Sequence, residues 1–163
     1  MMKKILVSLM AVAMLVGCSS DDSSSNAKNT DEYVFEVDGT VIEMNGDAKA
    51  VVEKLGDPAN YFEEASCAFE GLDKSYTYSG FELKTYPMKD DDKVLEVVLK
   101  DDTVATKEGV SIGDDKAAME KAYGSEYEEK GKSYTYTQGK SQLEFVYGDD
   151  DTISQITYIA ITE

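Results

Sequence analysis

Histidine, arginine and tryptophan are absent from the 163 residues, so lysine supplies all sixteen basic side chains. Without histidine the chain has no imidazole general base, no Ser-His or Cys-His nucleophile pair and no ordinary zinc or copper site. Without arginine it has no bidentate clamp for phosphate or carboxylate groups. Catalysis would have to rest on carboxylates, lysine, tyrosine or cysteine, and no carboxylate pair is distinguished from the many others. The sequence therefore predicts a protein that is not an enzyme and has no cofactor; a carboxylate-based glycan hydrolase is a less favoured alternative.

The N-terminus has the pattern of a secretory signal. Lys3 and Lys4 precede an apolar run over residues 5–16, which is too short to span a bilayer but has the length of a signal-peptide core. The segment Leu15-Val16-Gly17-Cys18 resembles the lipobox of bacterial lipoproteins. The resemblance implies that Cys18 receives a diacylglyceryl group and that residues 1–17 are removed. An ordinary signal peptide or a short anchor helix is the alternative.

Charge restricts the partners of the chain. Its 33 acids against 16 lysines give a net charge of −17, and removal of residues 1–17 makes the chain more negative, because that segment carries lysine but no acid. A field of this sign repels nucleic-acid phosphates and anionic lipid headgroups. We therefore expect no nucleic-acid partner. Membrane attachment would come from the acyl chains on Cys18, which implies an extracytoplasmic protein anchored to the bacterial cell membrane by lipid.

Residues 18–30 are rich in serine and aspartate and contain no aliphatic side chain larger than alanine, which is typical of a flexible tether. Residues 31–163 have the length of one ordinary domain. Lipidation of Cys18 would leave Cys67 without an intrachain disulfide partner. We expect Cys67 to be a small apolar residue packed beside Phe69; a reactive or intermolecularly paired thiol is the alternative.

The domain contains an internal duplication in its sequence pattern. Residues 44–56 match residues 112–124, and both segments have the apolar spacing of a short amphipathic helix. An aspartate stands at each start, and Gly56 and Gly124 stand where a left-handed C-cap is expected. The pentapeptide Lys-Ser-Tyr-Thr-Tyr then occurs twice in the same order, at residues 74–78 and 132–136.

Strand-like segments follow each helix, so each half is predicted as a helix and an antiparallel meander of three or four strands. A hairpin over residues 33–37 and 40–44 precedes the first helix, with Asp38-Gly39 as its turn. The first half has about ten extra residues within 57–71, where Pro58 predicts a second short helix and residues 65–69 predict a strand. The fold class is α+β, with one repeat over about residues 31–108 and another over about residues 109–163.

This pattern resembles a known architecture. A lipobox followed by tandem Gly-Asp-x-Lys-Ala, helix, Leu-Gly-Asp-Pro and Tyr-Thr-Tyr segments is similar to Gram-positive lipoproteins built on the fold of β-lactamase inhibitory protein, and to the single unit of BamE-type outer-membrane assembly lipoproteins. The resemblance implies one curved antiparallel sheet with the helices on one face and the other face open to a partner. The inhibitor has a disulfide in each repeat and a tryptophan-rich binding face, which this chain lacks, so β-lactamase inhibition is not expected.

Four tyrosines alternate with serine or threonine and project in pairs from one face of their strands. If that face is open, they form a candidate binding face of the kind that anchors proteins or glycans. If it faces the helices, they belong to the core. The four residues are Tyr76, Tyr78, Tyr134 and Tyr136.

Two aspartate triplets occur at corresponding positions of the two halves. They are contiguous and lack the alternating acids, central glycine and distal glutamate of a calcium loop, so we expect solvated turn residues and no metal site. Weak divalent-cation binding is the alternative. The triplets are Asp90, Asp91, Asp92 and Asp149, Asp150, Asp151.

These patterns together predict a lipid-anchored, non-catalytic extracytoplasmic module that binds a protein or a cell-envelope polymer through an open sheet face. A lipoprotein that binds a small ligand or a divalent cation is the alternative. The sequence does not name the partner.

Overall fold

The computed structural model describes residues 32–162, and the predicted signal peptide, Cys18 and the tether lie outside this range. The described chain has an α+β fold with two helices, an eight-stranded antiparallel sheet and a two-stranded sheet. Neither described helix is long and apolar enough to cross a membrane.

Both predicted helices form, and each is eight residues long, with α1 over Ala48–Leu55 and α2 over Lys116–Tyr123. Asp47 caps α1 by accepting a hydrogen bond from the Ala50 amide at 3.2 Å, and Asp115 caps α2 through the Ala118 amide at 2.9 Å. Such caps satisfy amides that have no partner inside the helix. Gly56 and Gly124 end the helices at φ of 77° and 82°, a backbone region that glycine enters without steric cost.

The predicted hairpin is also present, with β1 over Val34–Val37 and β2 over Thr40–Glu43. Asp38 and Gly39 have φ of 49° and 74°. Two consecutive positive φ values match the twist of a tight hairpin turn, for which Asp-Gly is a favoured pair.

The large sheet consists of two meanders that meet at its centre. The strand order is β3-β4-β5-β6-β10-β9-β8-β7, and all pairs are antiparallel. At the junction of the meanders, Leu99 of β6 lies opposite Ile156 of β10. The strands are β3 Asn60–Ala65, β4 Leu72–Thr77, β5 Phe81–Met88, β6 Asp91–Leu99, β7 Glu128–Lys130, β8 Ser133–Gln138, β9 Ser141–Tyr147 and β10 Ile153–Ala160.

Three expectations for residues 57–71 are wrong. The strand expected over residues 65–69 does not form, because β3 ends at Ala65 and residues 66–69 lie in the connection to β4. Pro58 does not begin a helix, because the aromatic segment that follows it pairs with β4 as edge strand β3, and Tyr61 packs against Tyr76 with ring centroids 5.1 Å apart. Cys67 is an exposed free thiol and is not packed in the core. It lies in the connection between β3 and β4, which extends beyond the paired strands.

One face of the large sheet forms the core, and we call it the core face. Phe35 of β1 contacts Phe81 and Tyr158 of the sheet, with ring centroids 5.2 and 5.7 Å apart. Ala48 and Val51 of α1 and Met119 of α2 join the same buried cluster. Burial of this apolar surface is the main source of stability for the fold. Fully buried members of the cluster include Phe35, Ile42, Leu83, Val94, Val97, Met119, Leu143, Phe145 and Ile156.

Candidate functional site

The four tyrosines of the repeated pentapeptide lie on the core face. Tyr76 lies opposite Leu83 and Tyr136 lies opposite Leu143, and both leucines are fully buried. Directly opposed residues of an antiparallel pair share a face of the sheet. Tyr136 is only 2% exposed, and Tyr76, Tyr78 and Tyr134 are half-buried against the core. The four tyrosines therefore belong to the core and do not form an exposed binding face.

Two of the four tyrosine hydroxyls, those of Tyr78 and Tyr136, contact the C-terminal ends of the helices. Tyr136 donates a hydrogen bond to the Gly124 carbonyl at 2.7 Å, and Tyr78 donates one to the Gly56 carbonyl at 3.4 Å. Carbonyls at a helix C-terminus have no partner within the helix, so these contacts fasten the helix ends to the sheet. The repeated tyrosines therefore have a structural task.

Burial changes the acid–base behaviour of this face. It raises the pKa of Tyr76, Tyr78 and Tyr136 above the ordinary value, and it raises the pKa of Tyr147 to about 12. Burial acts in this direction because it disfavours the charged phenolate.

The dependence of tyrosinate absorbance on pH measures whether these tyrosines are buried on the core face. We expect Tyr76, Tyr78, Tyr136 and Tyr147 of the folded protein to ionise above pH 10, and the urea-unfolded protein to ionise near the ordinary value of 10.0. The folded pKa values are raised, so the stabilisation they reflect is present below pH 10 and is lost as the pH rises through them. Identical midpoints for the folded and unfolded protein would contradict the core placement.

The opposite face of the large sheet, which we call the open face, carries no further strand or helix of residues 32–162, because both helices and the β1–β2 hairpin pack on the core face. Its residues alternate with those of the core face along each strand. Phe62, Ser75, Glu82, Lys84, Glu96, Val98, Thr157, Gln142, Glu144 and Ser133 belong to it.

Cross-strand contacts organise the centre of the open face. Glu82 and Glu144 flank the central pair Val98 and Thr157, which are both buried. Glu82 accepts a hydrogen bond from Ser75 at 2.5 Å, and Glu144 accepts one from Ser133. The two carboxylates therefore lie on either side of a small apolar centre.

Ion pairs add to this arrangement on the side of the first meander. Lys100 contacts Glu82 at 2.7 Å, and Lys84 contacts Glu96 at 2.9 Å. The Lys100 ammonium, with a further contribution from the Ser75 hydroxyl, holds the pKa of the Glu82 carboxyl below its ordinary value. A lowered pKa means that this carboxylate stabilises the fold above about pH 4.5 and that the contribution is lost as the pH falls.

A groove of about 280 Å³ lies at one end of the open face, between β3, β4, β5 and β6. Phe62 stands at its edge with 56% of its surface exposed. Oδ1 of Asp73, a residue that lines the groove, is buried and makes no hydrogen bond with the described residues. Oγ1 of Thr85 also has no partner there, but it belongs to the core face, because Thr85 lies opposite the fully buried Val94. The groove therefore combines an exposed aromatic ring with polar lining residues, among them Asp73, Ser75 and Lys84.

Within residues 32–162, no group of three or more acids or cysteines lies close enough together to hold a metal ion, and this includes the two aspartate triplets. The first triplet was expected in a turn, but Asp91 and Asp92 are part of β6, because pairing with β5 extends to Met88. Asp92 contacts Lys74 at 2.6 Å, and Asp149 contacts Lys132 at 2.8 Å.

Comparisons with known proteins find only distant structural similarity. No protein family model and no curated protein match the sequence. A DUF4309 family protein (YjgB) from Bacillus subtilis is 17% identical with a TM-score of 0.43, over 73% of this chain and 82% of that chain. An extracellular protein containing an SCP domain from Bacillus anthracis is 12% identical with a TM-score of 0.42, over 92% of this chain and 50% of that chain. At these TM-scores the similarity carries no argument about function.

The groove at Phe62 was not predicted from the sequence. A strand was expected only over residues 65–69, so the face on which Phe62 lies could not be assigned. The adjacent aromatic residues Tyr61 and Phe62, which have a high strand propensity, were the local signal of this edge strand.

Proposed function

We propose that the protein is a lipid-anchored extracytoplasmic module, without catalytic activity, that holds a partner protein on its open face. The lipobox at Cys18 and the polar tether over residues 18–30 support the anchoring. Two acyl chains on one cysteine meet the two-signal requirement for stable membrane attachment without a basic patch. The tether would let the folded part extend from the membrane toward a partner.

We also infer that the domain consists of two tandem helix-plus-meander units, over about residues 31–108 and 109–163. The repeated pentapeptide supports this, as does the run of four strands that follows the helix in each half. The hydrogen bonds Ser75–Glu82 and Ser133–Glu144 start from the same position of each pentapeptide. The two units resemble the fold of β-lactamase inhibitory protein, and this resemblance favours the open face of the sheet as the partner-binding surface.

The exposed Phe62 ring beside the groove is the observation that carries the proposal. A single exposed apolar side chain is ordinary on a soluble protein, but Phe62 stands at the edge of a groove, and aromatic rings are enriched where proteins bind partners. Aromatic side chains that enter a partner pocket supply a large share of binding energy. Glu64, Ser75 and Lys84, which also line the groove, would give the partner a carboxylate, a hydroxyl and an ammonium group around the ring.

A Phe62→Ala variant tests this proposal by affinity capture from the envelope fraction of the native cell. We expect at least about a tenfold loss of the captured partner, since hot-spot aromatic truncations cost about 2 kcal/mol or more. The matched control is Val41→Ala, which removes another exposed apolar side chain, 46% exposed, from the hairpin on the core face. Equal loss of capture in both variants, or none in either, would contradict the proposal.

A further inference from the structure

A second cavity lies on the core-face side, away from the open face. It has a volume of about 320 Å³ and is formed where the start of β1, the end of α2, the turn over residues 106–109 and β10 meet. We call it the tyrosine pocket. Its principal lining residues are Glu32, Tyr33, Lys107, Glu108, Tyr123 and Tyr158.

The tyrosine pocket contains a buried hydroxyl without a partner. Tyr158 is only 1% exposed, and its hydroxyl makes no hydrogen bond of ordinary geometry with the described residues. Burial raises the pKa of Tyr158, and the nearby carboxylate of Glu108 raises it further. The side chain of Tyr123 and the backbone of Lys107 are close enough to offset part of this shift. Tyr158 is therefore a neutral residue of the pocket lining, and its hydroxyl lies buried beneath the pocket surface.

The turn that carries Glu108 is well defined. Gly109 donates a backbone hydrogen bond to the Thr106 carbonyl at 2.8 Å, and the Val110 amide donates to the Thr106 hydroxyl at 3.0 Å. Gly109 has a φ of 86°, which this tight turn requires and which other residues adopt only with strain. Glu108 accepts a hydrogen bond from the Tyr123 hydroxyl. The carboxylate is thus held at the mouth of the pocket.

The position of Tyr123 is informative. It is the last residue of α2, and the last residue of α1 is Leu55, which packs on the core with no polar group. An apolar side chain therefore suffices at this place in a helix of the same length. Tyrosine adds a hydroxyl that reaches Glu108 and a ring that meets Tyr33 at an angle of 75°, with centroids 6.1 Å apart.

Two aromatic walls at a steep angle and a fixed carboxylate are the groups that hold ammonium ions. Glu32 adds a second negative charge to the lining, where Lys107 is the one cation, and the net charge of −17 repels anions. We propose that the tyrosine pocket binds a small organic cation, whose ammonium or quaternary ammonium group lies between Glu108 and the rings of Tyr33 and Tyr123.

Titration with tetramethylammonium chloride tests this proposal on the full chain, with sodium chloride exchanged so that ionic strength is constant. Tyrosine fluorescence reports binding directly, because the sequence contains no tryptophan. We expect a saturable change, and a dissociation constant at least about tenfold weaker for Glu108→Gln, since that variant loses the charge but keeps the shape.

Glu126→Gln is the matched control, because Glu126 is an exposed acid that does not line the pocket. It should bind like the unchanged protein, and circular dichroism should show both variants folded. A response that rises without saturation, or equal affinity in the unchanged protein and in Glu108→Gln, would overturn the proposal. This site is independent of the open face, so Phe62→Ala should leave the titration unchanged.

Discussion

The Phe145→Ala variant is expected to lose about 3–5 kcal/mol of unfolding free energy, the usual cost of truncating a buried phenylalanine. Phe145 is fully buried on β9 and lies opposite Tyr134 on one side and Ile156 on the other. Its ring also contacts Tyr123 and Tyr136, with centroids 5.4 and 6.0 Å apart. Truncation would remove contacts to α2 and to two strands at once and leave a cavity. Urea unfolding followed by circular dichroism measures the change.

Phe62→Ala is the matched control for stability, because it makes the same truncation at an exposed position of edge strand β3. Surface substitutions of this kind usually change stability by less than about 0.5 kcal/mol. A loss for Phe145→Ala no larger than that of Phe62→Ala would show that the core does not have the described packing.

Gly80→Ala is expected to destabilise the protein by about 2–4 kcal/mol, from a positive φ and from overpacking acting together. Gly80 has a φ of 81° in the turn between β4 and β5. A Cβ at this position would lie 2.6 Å from Oγ1 of Thr103 and 2.9 Å from Cγ1 of Val104. The Gly80 carbonyl also accepts a hydrogen bond from the Lys100 amide at 2.8 Å, so a shift of the backbone would weaken this hydrogen bond. Thermal and urea unfolding both measure the effect.

Gly131→Ala separates the two causes. Gly131 has a similar φ of 66°, but a Cβ there would meet no atom within 4 Å. It should therefore lose only the conformational part, about 1–2 kcal/mol. Equal losses at both positions would mean that the loop over residues 101–104 does not pack on Gly80 as described.

Local signals in the sequence were sufficient for the elements that depend on neighbouring residues. The capping aspartates and terminal glycines predicted both helices, and Asp38-Gly39 predicted the hairpin. Each of these features is decided within about four residues, because a cap or a turn is a local hydrogen-bond arrangement. The α+β class followed from the same elements.

The face of a strand, in contrast, depends on pairing register and on distant contacts. The alternation of Tyr76 and Tyr78 predicted that they share a face, but their contacts with α1 and the core decide which face it is. The expected helix at Pro58 failed for a related reason, since pairing with β4 overrides the local preference of residues 57–60. Cys67 lies beyond the paired residues of β3 and β4, in the connection between the two strands, and it is exposed there.

The groove and the tyrosine pocket share one property that no sequence pattern shows. Each combines groups that are far apart in the chain, such as Phe62 with Leu95 and Tyr33 with Tyr158. The unpartnered buried oxygens beside them, Oδ1 of Asp73 and the hydroxyl of Tyr158, become recognisable only when every neighbour is placed.

Site-specific photo-crosslinking at two adjacent residues of β3 tests the open face most directly. Glu64 shares the face of Phe62, whereas Glu63 lies on the opposite side with Tyr61, and both are exposed acids on the same strand. A photoreactive residue at Glu64 of the full-length protein in its native cell should form one discrete adduct with the proposed partner, and the same residue at Glu63 should not. An adduct of equal yield from both positions, or one from Glu63 alone, would contradict binding through the open face.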